Sequence, residues 1–169
     1  RKTEQPKGLQ NKGPSVELDV ATLRNREKTE KKAKDLLQRE LQVTKRLIKN
    51  TRTNDTRRPD FLLRLAEGYF ELVQVSTADV RKLDEPIHDA CSVKKDKGKC
   101  NTLKKQQADA EKAMAGTRED NIKTLALLVK DHPDYKKMDE VLFALGFSLD
   151  EMKQFDRARQ VYHRLIKNF

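Results

Sequence analysis

Between Asp139 and Phe169 the chain reads DEVLFALGFSLDEMKQFDRARQVYHRLIKNF, two short amphipathic segments around a polar turn. No other stretch limits the fold as much. Leu142, Leu145, Gly146 and Leu149 recur at three-and-four spacing in the first segment, and Ala158, Tyr162 and Leu165 in the second. Each segment therefore forms a helix with one narrow apolar face. Gly146 and Ala158 are small enough to let two helix backbones approach closely, while Leu142, Leu149 and Tyr162 fill the space around them. The pattern predicts an antiparallel pair of short helices.

The same frame recurs earlier in the chain. RLIKNF (Arg164–Phe169) has a near copy in RLIKNT (Arg46–Thr51) and a looser one in LLVKDH (Leu127–His132), which places Leu47, Leu128 and Leu165 in equivalent positions. RPDFLLRLAEGYFEL (Arg58–Leu72) repeats the first segment, with Leu62, Leu65, Ala66 and Tyr69 at the spacing of Leu142, Leu145, Gly146 and Leu149. The interval from Leu47 to Leu128 is more than twice that from Leu128 to Leu165, so it must hold inserted material. This recurrence of helix pairs resembles the tetratricopeptide repeat (TPR). The resemblance implies an all-α fold, a TPR-like helical-hairpin solenoid with an inserted helical hairpin. Charged residues at 38%, apolar ones at 36%, no Trp and a mean hydropathy of −0.90 are lean for a globular core. They suit a stack in which each helix pair buries only the faces toward its neighbours.

Four segments follow. Residues 1–15 hold Pro6, Gly8, Gly13 and Pro14 with a single bulky aliphatic, Leu9, and are expected to be flexible. Residues 16–58 form an N-terminal helix, from about Glu17 to Asn50, that ends as the second helix of a repeat; Ala33, Leu36, Leu37, Leu41, Thr44, Leu47 and Ile48 share one face. Residues 59–133 form a TPR-like unit whose inserted hairpin covers about 73–116. Its first helix runs on through Val73, Ser76, Val80 and Leu83 to Pro86. Its return helix spans Asn101–Met114, is capped by Asn101, shows Leu103, Ala110 and Ala113 on one side, and ends at Gly116. Thr117-Arg-Glu-Asp120 then resembles a capping box that starts a further helix carrying Ile122, Leu125 and Leu128. Residues 134–169 form the last repeat unit, truncated at its C-terminus.

The two cysteines, Cys91 and Cys100, flank the lysine-rich SVKKDKGK at the tip of the expected hairpin. A disulfide there closes a short loop and stabilises the fold by about 2–3 kcal/mol in the chain-entropy model. Two free thiols in a reducing cytosol are the alternative. A zinc site adding His88 and Asp89 is a third reading, but neither Cys-x-x-Cys nor His-x3-His spacing is present, so no metal is expected.

The connection HPDYKKMDEVLFALG (His132–Gly146) is more specific than the generic repeat. It resembles bacterial envelope TPR proteins, outer-membrane-assembly lipoproteins and periplasmic coordinators of constriction among them, in which an ending like LIKNYP precedes DEALFxLG. Two positions depart from that pattern: Leu165 is bulkier than the usual residue, and Thr44 stands where Tyr162 supplies an aromatic. The resemblance implies a protein–protein interaction scaffold of a cell-envelope complex, in the periplasm or on the periplasmic face of the outer membrane, with a cytosolic adaptor as the alternative. It further implies a concave groove lined by first helices, which places Asp60, Leu63, Glu67, Phe70, Glu140, Phe143, Phe147 and Asp150 on the partner-binding surface. Exposed Phe and Leu rimmed by carboxylates would suit a helical or extended segment with apolar anchors and positive charge. Alternatively, Phe143 and Phe147 pack against a neighbouring repeat outside this stretch of sequence. A repeat that stops at Phe169 and a chain that opens on Arg1 are expected of a piece of a longer protein.

A net charge of +10 raises nucleic acid as a partner, but 27 acidic residues are interleaved with 37 basic ones. The densest basic runs, Arg24–Lys49 and Lys94–Lys105, contain no aromatic to stack on a base. That argues against nucleic acid and suits peripheral contact with anionic membrane better, while solvated helix faces are the commonest explanation of those lysines. The longest apolar run, Leu125–Val129, is far too short to span a bilayer. For an enzyme the chain offers three histidines, His88, His132 and His163, with no Gly-rich phosphate loop and no nucleophile elbow. No catalytic residue and no cofactor is expected.

Overall fold

The computed structural model describes residues 20–169, with side chains from residue 25 onward. The expected flexible segment 1–15 and the helix start near Glu17 lie outside the described residues. The chain divides into two compact units, Arg1–Ala33 and Lys34–Phe169. Helix α1 (Val20–Asn50) begins in the first and ends in the second. Within the first unit it is held locally, by an Arg26–Glu30 ion pair of 3.1 Å and by the Thr29 hydroxyl donating to the Asn25 carbonyl at 2.9 Å.

The second unit is all-α, and no strand occurs among the described residues. After α1 come α2 (Arg58–Arg81), a short α3 (Asp84–His88), a π-helical turn (Asp89–Val93), α4 (Lys97–Asp131), α5 (Met138–Glu151) and α6 (Phe155–Asn168). Successive long helices run antiparallel: Leu41 lies on Gly68, Thr77 bonds Met114, Asn121 bonds Ser148, and Gly146 faces Tyr162. Leu62, Leu125, Leu128, Val141, Leu142 and Leu149 are almost wholly buried and knit α2, α4 and α5 into one core that α6 joins through Ala158. The faces predicted from spacing are thus the packed ones in α2, α5 and α6.

Several local expectations are corrected. α4 is a single helix: Gly116 does not end it, and Thr117 does not cap a new one but donates its hydroxyl back to the Ala113 carbonyl at 3.1 Å. A lone helical Gly costs only about 1 kcal/mol against Ala, and packing along both sides of α4 outweighs it. The cap of α4 is Asp96, whose carboxylate accepts from the Lys99 N–H at 3.0 Å, so Asn101 lies inside the helix. α2 stops at Arg81, and the chain re-forms as α3 before Pro86. Ala113 is exposed, and the outer part of α4 instead presents Leu103, Ala110 and Met114 half-buried. The segment expected as the inserted hairpin is built from the outer parts of α2 and α4 with α3 and the π-helical turn between them.

The α1 face is narrower than expected. Leu37, Leu41 and Thr44 are buried, whereas Ala33, Leu36 and Leu47 are exposed. Thr44, standing in place of an aromatic, bonds its own helix through the Glu40 carbonyl at 2.9 Å. Room for α1 comes from Gly68, where an added Cβ would lie 2.7 Å from Leu41 Cδ2. Polar ties line this packing: Arg64–Glu40 at 2.6 Å, Lys34–Asp79 at 2.6 Å, and the Lys45 ammonium 5.0 Å from the Tyr69 ring centre. Burial works against the Asp79 charge, but the Lys34 bond and the Lys82 charge outweigh it and hold its pKa below the usual carboxylate value. Arg58 closes the end of α1 by donating to the Ile48 and Thr51 carbonyls at 2.5 and 2.7 Å.

At the tip, Cys91 and Cys100 are disulfide-bonded across a Cα–Cα distance of 5.0 Å. The connection is tied further by the Asp96 N–H to the Ala90 carbonyl at 2.9 Å and by a Lys94–Asp89 ion pair of 2.7 Å. Among the described residues no cluster of His, Cys, Asp or Glu could hold a metal, and no helix is long and apolar enough to cross a membrane.

Candidate partner-binding groove

α4 packs against both α2 and α5, and over it the facing sides of α2 and α5 enclose an open apolar cavity of about 280 Å³. Its walls are Leu63, Ala66, Glu67 and Phe70 from α2 and Phe143, Ala144, Phe147 and Ser148 from α5, with Asn121 and Leu125 of α4 as the floor. Five of the eight expected surface residues, Leu63, Glu67, Phe70, Phe143 and Phe147, thus meet around one space. The reason is helical. Positions 63, 67 and 70, and 143 and 147, are one turn apart, so each set stacks along a single stripe beside the buried face.

The aromatic rings remain accessible: Phe70 is 41% exposed, Phe143 59% and Phe147 37%. Phe147 meets Phe70 edge to face at 6.0 Å between ring centres, and Phe143 lies 6.4 Å from Tyr162. These edge and tilted contacts hold the rings at the rim without covering them. Leu63 departs from the expectation of an exposed anchor. It is only 7% exposed because it also belongs to the shared core.

The carboxylates divide. Glu67 stands at the rim of the cavity. Asp60, in the first turn of α2, accepts the Tyr135 hydroxyl at 2.7 Å and opens onto a separate cleft of about 440 Å³ beside His132 and Pro133. Glu140 pairs with Lys137 at 3.3 Å, and Asp150 lies outside the cavity lining. Burial first, then Asp60, Glu140 and Glu67, push the Tyr135 hydroxyl well above its ordinary value; burial and then Asp150 raise that of Tyr162.

Asn121 was not among the expected residues, because it sits on a second helix and the groove was assigned to first helices. A signal existed. Asn121, Ile122, Leu125 and Leu128 share one helical face, and a polar residue on an apolar face needs a partner. Asn121 is 4% exposed, its amide nitrogen donates to Ser148 Oγ at 3.4 Å, and its Oδ1 has no partner among the described residues.

Antiparallel helix pairs that pack pairwise and leave a groove between alternate helices define a helical-repeat scaffold. Residues 140–169 match the family model described as "Tetratricopeptide repeat", so the last helical pair, α5 and α6, is a tetratricopeptide repeat. No curated protein and no solved structure gives a significant match.

Proposed function

We propose that this chain is a non-enzymatic interaction scaffold that holds a segment of a partner protein in the groove between α2 and α5, as part of a bacterial cell-envelope complex. The carrying observation is the meeting of accessible Phe70, Phe143 and Phe147 around one apolar cavity on the first-helix side of a tetratricopeptide repeat. Solvated aromatic rings that ring a cavity are what hot spots are made of. The Cys91–Cys100 bond supports an oxidising compartment such as the periplasm, since cytosolic thiols are kept reduced. A peripheral contact with anionic headgroups belongs to the same reading, supported by exposed Lys94, Lys95, Lys97 and Lys99 around an exposed Val93 at the tip. Flotation with anionic but not zwitterionic vesicles is its test.

Photo-crosslinking in native cells tests the groove. A probe at position 70 should capture a defined protein that a probe at position 104, on the outer arm, does not. Phe147→Ala should then weaken that complex by more than about 1 kcal/mol with helicity unchanged. Capture from position 104 alone, or an unchanged affinity, would overturn the proposal. The compartment is tested by blocking thiols at lysis before mass spectrometry, where two alkylated cysteines would exclude the periplasm.

A further inference from the structure

Two surfaces of the second unit carry accessible apolar side chains, and their charges are opposite. The first is the outer side of α1. Leu36, Val43 and Leu47, at intervals of seven and four, form one stripe along the helix and are 66%, 54% and 44% exposed, while Leu37, Leu41 and Thr44 beside them are buried. Glu40, between Leu36 and Val43, is engaged by Arg64 of α2 at 2.6 Å. At 100° per residue, Arg39 and Arg46 flank the stripe on the side away from the buried face. Both are exposed, and neither has an ion pair among the described residues.

The second surface is the groove. Its accessible apolar groups are Phe70, Phe143 and Phe147. α5 carries Asp139, Glu140, Asp150 and Glu151 and no basic residue, and Glu67 of α2 stands at the cavity rim. Glu67, Asp139 and Asp150 have no ion pair among the described residues. A ligand for this groove needs an apolar stripe with positive charge beside it, and a cover for α1 needs apolar groups with negative charge beside them. Each surface meets the requirement of the other. The spacing agrees, since Leu36 and Val43 are as far apart in sequence as Leu63 and Phe70 of the groove wall, two helical turns or about 10 Å. Two α1 stripes paired antiparallel would instead set Arg39 and Arg46 of one copy beside the same residues of the other.

We propose that the segment held between α2 and α5 is α1 of a second copy of this chain, with Leu36, Val43 and Leu47 against Phe70, Phe143 and Phe147 and with Arg39 and Arg46 toward the groove's carboxylates. This rests on the groove being the partner-binding surface and names its occupant. The contact is heterologous, joining two different patches, so defects in the two patches can be placed on separate copies.

Sedimentation equilibrium of the full chain tests it. The unaltered chain should associate below about 100 μM, and about tenfold more weakly in about 0.5 M salt than in about 0.05 M. Val43→Asp, which spoils the stripe, and Phe147→Ala, which removes a groove ring, should each associate at least about tenfold more weakly than the unaltered chain. Mixed in equal amounts they should form pairs and nothing larger, because the groove of the first still takes the stripe of the second. Leu47→Asp and Glu67→Lys, at other exposed positions, repeat the two defects if either variant loses helicity. Association lost in Val43→Asp but kept in Phe147→Ala, or a mixture that associates no better than either variant alone, would overturn the groove as the seat of α1. An unaltered chain that stays monomeric at about 100 μM would overturn the second copy as occupant. A probe at position 70 that then captures a different protein leaves the groove standing, whereas capture of nothing would overturn groove and occupant together.

Discussion

Leu62, Leu125, Leu142 and Leu149, each 1% exposed, lie at the centre of a core that three helices share. Farther along the α2–α4 pair the buried apolar residues thin to Val73, Val80 and Ala90. The two regions are held differently. The inner region, with α5 and α6, rests on apolar burial and on close approach at Gly146, and needs no covalent link. The outer arm has single polar ties, Gln107 to Asp84 at 2.7 Å and Thr77 to Met114 at 3.1 Å, and the Cys91–Cys100 bond at its end. The crosslink sits where burial contributes least, which is where a reduction of unfolded-state entropy matters most to local opening.

The largest expected effect is in the inner core. Leu128 is fully buried, so Leu128→Ala should lower unfolding free energy by about 2–5 kcal/mol in urea, whereas Val80→Ala on the arm should cost less than half as much. Equal losses would erase the distinction. Next comes the clamp: Cys91→Ser with Cys100→Ser should cost about 2–3 kcal/mol. Hydrogen exchange should show the loosening confined to residues 86–101, and lost protection in α5 and α6 would show that the arm supports the repeat. Gly146→Ala should follow at about 1–2 kcal/mol. A Cβ there would stand 2.5 Å from Tyr162 Cε1 and 2.8 Å from Cζ, and the crowding should exceed the gain in helix propensity. The smallest change has the opposite sign. Nothing lies within 4 Å of a Cβ at Gly116, so Gly116→Ala should stabilise the arm by about 0.5–1 kcal/mol, read as a higher melting temperature.

Much of the candidate site was legible because helix periodicity is a local property. Phe70, Phe143 and Phe147 fall one turn from buried leucines, which is enough to place them at the edge of a packed face. The cysteine pair was legible for a similar reason, since both residues bracket one hydrophilic turn between two returning helices. What escaped depended on neighbours distant in sequence. Gly116 looks like a helix end until α2 and α5 are packed along α4, and Asn121 becomes a groove residue only because α4 lies beneath both first helices.

The pentapeptide RLIKN, which occurs at Arg46–Asn50 and again at Arg164–Asn168, separates the two kinds of information most cleanly. The sequence alone determined that both copies end helices and that one of the adjacent aliphatics faces a neighbour. Which one was decided by packing, and the expected equivalence of Leu47 with Leu165 does not hold. In α1, Ile48 packs against the core and Leu47 is 44% exposed; in α6, Leu165 packs and Ile166 is 81% exposed. Successive helical residues point about 100° apart. α1 meets the helix that follows it, α2, while α6 meets the helix that precedes it, α5, so the neighbour lies on a different side of the same five residues.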